Sequence, residues 1–554
     1  MKKLRQPGNP VVIRRGNGIG SGNAESDDQF LFDCFVDYPA VQDAQLLSSA
    51  GMILAGRTGA GKTAILRHIQ SSADHSVTLD PFDMSMSYVA NSDTLRFLDA
   101  IGADLDVLFQ VLWKHVLCIE YIRLRFSIES AEKSRSLFDR ITTRFSRDAR
   151  RARAVEYLRK YEGRFWITMD QNVKEITENV ERNVNAEIGG EVAKFKAGGQ
   201  YERRISVQKK QELVARVKSI ISHEQLAELN GVIEMLSQFE SGDSMKSYFI
   251  LIDKLDEKWV DESIRFRLIR ALIESLRSFR KITSLKILVA LRDDVIERVV
   301  QDSSDISFQR EKFEDYRVAI KWSKSDLRTL VDKRLNAMFK RRYTTEVVGL
   351  LDVFPPTVGQ KDTFEWMLER TLMRPRDIIA FVNECLDAAD GLATVQLSSL
   401  RKAEVEYSRK RRDALLQEWQ SVHPSLGKIL SDIVHAGKWS CSLSEFCGVN
   451  GIIEDICLSV CSDTRLQRDQ IYGYCNLHIE EKGVTALQAA QFIVAALYRV
   501  GAVGVKLQSQ DRFSYCHLDM PLISPETISF ESKMRVHPML WAAYNLQDNA
   551  SRAI

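Results

Sequence analysis

Residues 51–67 read GMILAGRTGAGKTAILR, and this stretch decides the fold. Met52 to Ala55 are a short apolar run that predicts a buried strand. Gly56-Arg57-Thr58-Gly59-Ala60-Gly61-Lys62-Thr63 follows and matches G-x-x-x-x-G-K-[ST] at each fixed position. Ala64 to His68 then open a helical pattern. Strand, glycine-rich loop and helix together form the context in which this motif binds phosphate. Gly56, Gly59 and Gly61 let the backbone bend inward, so that the N–H groups along Arg57, Thr58, Ala60 and Ala64 converge on an anion. The helix N-terminus adds positive potential. Lys62 is placed to reach the β- and γ-phosphates of a nucleotide, and Thr63 to hold Mg²⁺.

A second strand carries the complementary acid. Ser247 to Ile252 are unbroken apolar sequence ending at Asp253, as a central parallel strand should be. In α/β sheets the carboxyl ends of strands face the ligand, which makes Asp253 the partner of Thr63 for Mg²⁺. Asp256 and Glu257 follow within a turn, and either can orient or deprotonate an attacking water. Leu285 to Leu291 form a further apolar strand ending at Arg292, a cation able to face the γ-phosphate; the plainer alternative is pairing with Asp293 or Asp294. In MRPRDIIAFVNECL (373–386), Pro375 suits a first helical turn, and Arg374 and Arg376 project from that end. Arg376 there can bind the nucleotide from a lid; salt bridging to Asp377 or Glu384 is the alternative.

The chain of 554 residues is long enough for about three domains. A net charge of +2 gives no general argument for nucleic acid, and no apolar run is long enough to predict a membrane span. Nine irregularly spaced cysteines and the lack of an apolar leader predict a reducing, cytoplasmic setting. Residues 1–28 are rich in Gly, Asn and Ser and are expected to be flexible; GNGIGSG (16–22) fails as a dinucleotide fingerprint because Ser21 stands where glycine is needed.

The nucleotide core is expected in two parts, 29–125 and 241–322, within which Leu105 to Ile122 show the spacing of a buried helix. A charged, proline-free helical or coiled-coil insertion, 126–240, separates them, and its Arg144, Arg147, Arg150 and Arg151 are either a phosphate-backbone grip or a solvated face. A helical lid (323–400), a winged-helix-like domain (401–525) and a C-terminal segment (526–554) complete the division. The wing is expected as a hairpin of Gly504–Leu507 and Phe513–Leu518.

The ordered set GRTGAGKT, ILIDKLDE, LVALRDD and MRPRDIIAFVNECL resembles the STAND and KAP-like branch of the P-loop ATPases, close kin of the AAA+ proteins. Asp253 and Asp256, Arg292, Pro375-Arg376 and Asn383 match that pattern. Lys254 and Glu257 depart from it, and the membrane-spanning inserts of many KAP proteins are missing. The resemblance implies an α/β P-loop NTPase core with a parallel sheet, ATP and Mg²⁺ as ligands, and ATP hydrolysis used as a switch, in a homo-oligomer or with a partner protein. A bacterial defence or stress role is compatible with it. The alternatives are a nucleotide-gated scaffold with little turnover and a DNA-stimulated ATPase.

Overall fold

Ile53–Gly56 (β1), His75–Leu79 (β2), Tyr248–Ile252 (β3), Leu285–Arg292 (β4) and Arg317–Ala319 (β5) form one parallel sheet, in the order β2-β3-β4-β1-β5. The computed structural model describes residues 12–81, 105–128, 149–161, 224–238, 246–260, 262–301, 313–342, 346–508 and 510–546. They divide into two compact units. One holds residues 39–56 and 62–320, and the other holds residues up to 38, 57–61 and 321 onward.

In the first unit, β3 is buried at every residue and β4 at all but its last. Strands covered on both faces read as continuous apolar runs, which is why these two are central. Each fully buried Leu or Ile there contributes about 1.5–3 kcal/mol. Lys286 interrupts the apolar run of β4. Its ammonium donates to the carbonyls of Leu46 at 3.0 Å and Ser49 at 2.9 Å, and burial pulls its pKa down to about 8.

The chain leaves β1 through helix Lys62–Ser72 (α1) toward β2 at one edge. It later passes from β4 across β1 to β5 at the other edge, so the strand order reverses beside β1. Gly56 stands opposite Arg292 in the register, and Ile252 opposite Val289.

The expected buried helix is Asp106–Phe126 (α2). Ala149–Tyr161 (α3) and Glu224–Ser237 (α4) are the described parts of the segment read as an insertion, and both are helical. They do not stand apart from the core. His115 Nδ1 of α2 meets the Tyr157 hydroxyl of α3 at 2.8 Å, Lys160 pairs with Glu228 of α4 at 3.1 Å, and Leu158, Leu229 and Leu236 are buried. Glu262–Phe279 (α5) also packs on α2, where the Trp113 indole N–H donates to Leu268 O at 2.8 Å. Arg144 and Arg147 lie outside the described residues, as do the side chains of Arg150 and Arg151.

The second unit contains helices Lys324–Arg342 (α6), Pro375–Ala388 (α7) and Leu397–Glu418 (α8). Helix α8 runs unbroken through 400–401, so no boundary falls there. Of the segment 1–28 expected to be flexible, residues 1–11 lie outside the described residues, and residues 12–27 pack against α7. Ile13 and Ile19 are buried, Ile13 N–H donates to Leu392 O at 2.8 Å, and Ile19 N–H to Asn383 Oδ1 at 2.8 Å.

Toward the C-terminus, Ser440–Ser442 (β6), Val503–Lys506 (β7) and Lys533–Val536 (β8) form an antiparallel sheet with β8 in the middle. Helix Ala486–Val500 (α9) precedes β7. The expected 504–507/513–518 hairpin is replaced by this pairing, and 513–518 contributes only the single bridge Val505–Ser514. The cause is local. Tyr515 N–H donates to Asp519 Oδ2 at 2.9 Å and Leu518 N–H to Tyr515 O at 3.0 Å, which folds the segment into turns. The C-terminal segment therefore belongs to the same sheet as residues 440–506, and the break expected at 525 is absent. Among the described residues, no helix is long and apolar enough to cross a membrane.

Candidate functional site

In the unit with the parallel sheet, the expected acids and bases converge at the carboxyl ends of the strands. β1 ends at Gly56, and α1 begins at Lys62 and Thr63, with Ala64 half-buried in its first turn. Lys62 Nζ donates to Gly56 O at 2.8 Å. Burial lowers its pKa, while the carboxylates of Asp256, Asp293 and Asp253 act in the opposite direction.

Asp253 follows β3, in the same sheet as the strand that leads into the loop. Thr63 hydrogen-bonds its carboxylate, and Lys254 N–H donates to its Oδ1 at 2.9 Å. Burial raises the Asp253 pKa, and these two hydrogen bonds hold it back. Lys254 has φ +62°, a left-handed turn that aims the chain after Asp253 back across the strand ends, and its ammonium pairs with Asp80 at 3.2 Å.

Arg292, at the end of β4, lies between two acids. It forks onto Asp294 with two bonds of 2.8 Å and approaches Asp256 Oδ2 at 3.6 Å. Arg292 therefore pairs with Asp294, and Asp293 takes Arg317 instead at 3.4 Å. Asp256 is brought beside Arg292 and acts on Lys62, whereas Glu257 is exposed. Both sit in a turn held by Arg265 of α5, whose Nη1 donates to Asp256 O at 3.3 Å and Glu257 O at 2.9 Å. Sequence reading missed Arg265. The signal was a charged residue on the apolar stripe of an amphipathic helix, where it is 8% exposed.

In the other unit, loop residues 57–61 meet α7. Gly59 and Gly61 have φ +80° and +101°, in the region glycine alone adopts readily. Arg376 N–H donates to Gly59 O at 3.4 Å, and a Cβ on Gly59 would stand 2.6 Å from Arg376 Cβ. The Arg376 side chain donates through Nε to Gly22 O at 3.1 Å, and burial lowers its pKa.

Arg374 takes the salt-bridging role. It pairs with Asp377 at 3.0 Å and Glu418 at 3.1 Å and donates to Thr58 O at 2.8 Å. The Thr58 hydroxyl and the Tyr38 hydroxyl are buried with no hydrogen-bond partner among the described residues. The Tyr38 ring lies tilted against that of Trp322, with centroids 4.3 Å apart, and the Trp322 indole N–H donates to Ala60 O at 2.9 Å. Neither aromatic was singled out from sequence. The side chain of Arg57, a loop residue expected to meet a ligand through its backbone N–H, donates to Val500 O at 3.1 Å.

Two comparisons bear on this chain. Residues 325–416, from α6 to the end region of α8, match the model of a FunZ-associated C-terminal helical domain. An 80.3 kDa protein named for transposon gamma-delta, from Escherichia coli (strain K12), is similar at 25% identity over 332 residues. That match covers 58% of this chain and 43% of the relative, so the alignment spans less than half the relative's length.

Proposed function

We propose that this protein binds ATP with Mg²⁺ and hydrolyses it as a regulatory switch of the STAND/KAP type, kin to the AAA+ proteins, with a P-loop core, a helical lid and a winged-helix-like C-terminal region. The observation that carries the reading is that β1 and β3 of one parallel sheet bring Thr63 and Asp253, 190 positions apart in the chain, close enough for Thr63 to hold down the Asp253 pKa; these two residues would hold Mg²⁺. The residues also fit the ligand chemically. Two positive-φ glycines open the loop for converging N–H groups, and the buried Thr58 hydroxyl has a hydrogen bond to give. Mg²⁺, when bound, neutralises phosphate charge as the terminal bond breaks.

Each residue then has a defined task. Gly56 to Ala64 bind phosphate oxygens through backbone N–H groups. Lys62 would supply an ammonium to the terminal phosphates, and Thr63 and Asp253 would hold the metal. Asp256 orients water and takes its proton, its carboxylate kept in place by Arg292 at 3.6 Å and its backbone by Arg265. Arg376 offers a cation from the lid.

A homo-oligomer or partner protein and a cytoplasmic setting belong to the same proposal. The relative named for a transposon favours, as a second reading, an ATPase stimulated by DNA. A scaffold with little turnover is the other alternative, supported by the Arg292–Asp256 pair, which engages the carboxylate that hydrolysis needs. Steady-state phosphate release separates these readings. Asp256→Asn is expected to lower the rate by about 10²–10⁴-fold with nucleotide still bound, and Glu257→Gln by less than about threefold. No release from the wild type, with or without duplex DNA, counts against any ATPase.

A further inference from the structure

The last carbonyls of a helix have no partner within it. Helix α9 closes at Gly501, which has φ +83° and returns its N–H to Leu497 and Tyr498. The carbonyls of Arg499 and Val500 are both taken by one guanidinium, that of Arg57. Nη1 donates to Val500 O at 3.1 Å, and Nη2 donates to Arg499 O and, at 2.9 Å, to Cys516 Sγ. A cation there also complements the negative end of the helix dipole. A Cβ on Gly501 would stand 2.7 Å from Arg57 Nη1, so glycine both turns the chain and admits the arginine. The Trp419 ring lies 6.0 Å from the Arg57 guanidinium and 5.8 Å from that of Arg499.

The next loop residue is held from the same side. Thr58 O accepts from Arg374, which is anchored by Glu418, the neighbour of Trp419 in the chain. The peptide bond entering Arg57 is restrained as well, because its carbonyl, Gly56 O, accepts from Lys62 Nζ at 2.8 Å. A phosphate that draws Lys62 away releases that carbonyl and lets the peptide into Arg57 turn.

We propose that Arg57 is a latch: it ties the glycine-rich loop to the end of α9 and the β6–β8 sheet, and a triphosphate at the loop loosens it. The inference rests on the nucleotide reading above. It makes the C-terminal region the output that the switch moves. Because coupling between two sites is reciprocal, loosening by ATP requires that loss of the latch tighten ATP binding by the same factor.

The test is hydrogen–deuterium exchange over 497–506 in the full chain, with and without MgATP, alongside calorimetric MgATP affinity. Wild type is expected to exchange at least about fivefold faster at 499–505 with MgATP, the lower range of ordinary couplings. Arg57→Ala is expected to exchange fast without nucleotide, to respond no further, and to bind MgATP about fivefold more tightly. Arg57→Lys keeps the charge but cannot fork onto two carbonyls, and Cys516→Ala removes one of the guanidinium's hydrogen-bond acceptors; both should fall between. Unchanged exchange in Arg57→Ala, a retained response to MgATP, or weaker MgATP binding overturns the latch. If wild type binds no MgATP, the nucleotide reading itself fails. Fast exchange in Arg57→Ala then marks a structural cap that carries no signal, and the latch falls with it.

Discussion

Replacing Asp253 with asparagine separates a metal ligand from an ordinary strand-end acid, because the two roles predict opposite signs. The carboxylate is half-buried, its pKa is raised above 3.8 by burial, and Asp256 is a like charge nearby. Holding it ionised therefore costs stability when no cation is present. Asparagine keeps the geometry, since its Oδ1 can accept from Thr63 and from Lys254 N–H as the carboxylate does. The ligand-free chain should therefore gain stability, read as a higher melting temperature than the wild type.

The pH sign follows. Because the folded pKa is raised, the unfavourable contribution is present above it and fades as pH falls toward 3.8; Asp253→Asn should flatten that part of the profile. With MgATP the order inverts. At 100 times its Kd, nucleotide stabilises the wild type by about 2.7 kcal/mol, and the variant should lose the Mg²⁺-dependent share. Differential scanning fluorimetry with ATP, in Mg²⁺ or in EDTA, reads both effects. A variant destabilised by several kcal/mol without ligand, or one that keeps the full Mg²⁺-dependent shift, refutes the reasoning.

Two further outcomes follow from buried charge. Arg374→Ala removes the buried guanidinium that pairs with both Asp377 and Glu418, so denaturant unfolding of the full chain should show a loss of about 3 kcal/mol. His537 is buried, with its pKa pulled down to about 3, and its Nδ1 accepts from Met539 N–H at 3.0 Å, so it folds neutral. Its folded pKa is depressed, so the unfolded chain binds the extra proton below about 6.5. Stability should then fall with acidification by up to about 1.4 kcal/mol per pH unit, a slope that His537→Gln reduces in melts between pH 7.5 and 5.

What was legible in the sequence had a local cause. The loop, the strand ending at Asp253 and the strand ending at Arg292 are contiguous patterns, and each is found where its own residues place it. Lys62, Thr63, Asp253, Asp256 and Arg292 meet because parallel strands put their carboxyl ends on one side. What was not legible depends on partners distant in the chain. Arg57 reads as one more loop residue, and only the fold brings it to carbonyls 442 and 443 positions away. Alternation at 513–518 marked a strand, yet Asp519 bends that segment into turns, and Lys533–Val536, a four-residue stretch with the same alternation, is the strand that pairs along Val503–Lys506. GNGIGSG looked mobile for want of apolar residues, but Asn383 supplies its hydrogen bonds, accepting from Ile19 N–H and donating to Gly20 O, both at 2.8 Å.

The most direct measurement is isothermal titration calorimetry of MgATP against the full chain and against Lys62→Ala. The account predicts one nucleotide per chain, dependent on Mg²⁺, with binding weakened at least about 100-fold when the ammonium is removed, because a charge-assisted contact to phosphate is lost from a half-buried position. Equal binding by the two proteins, or no heat from the wild type, would contradict it.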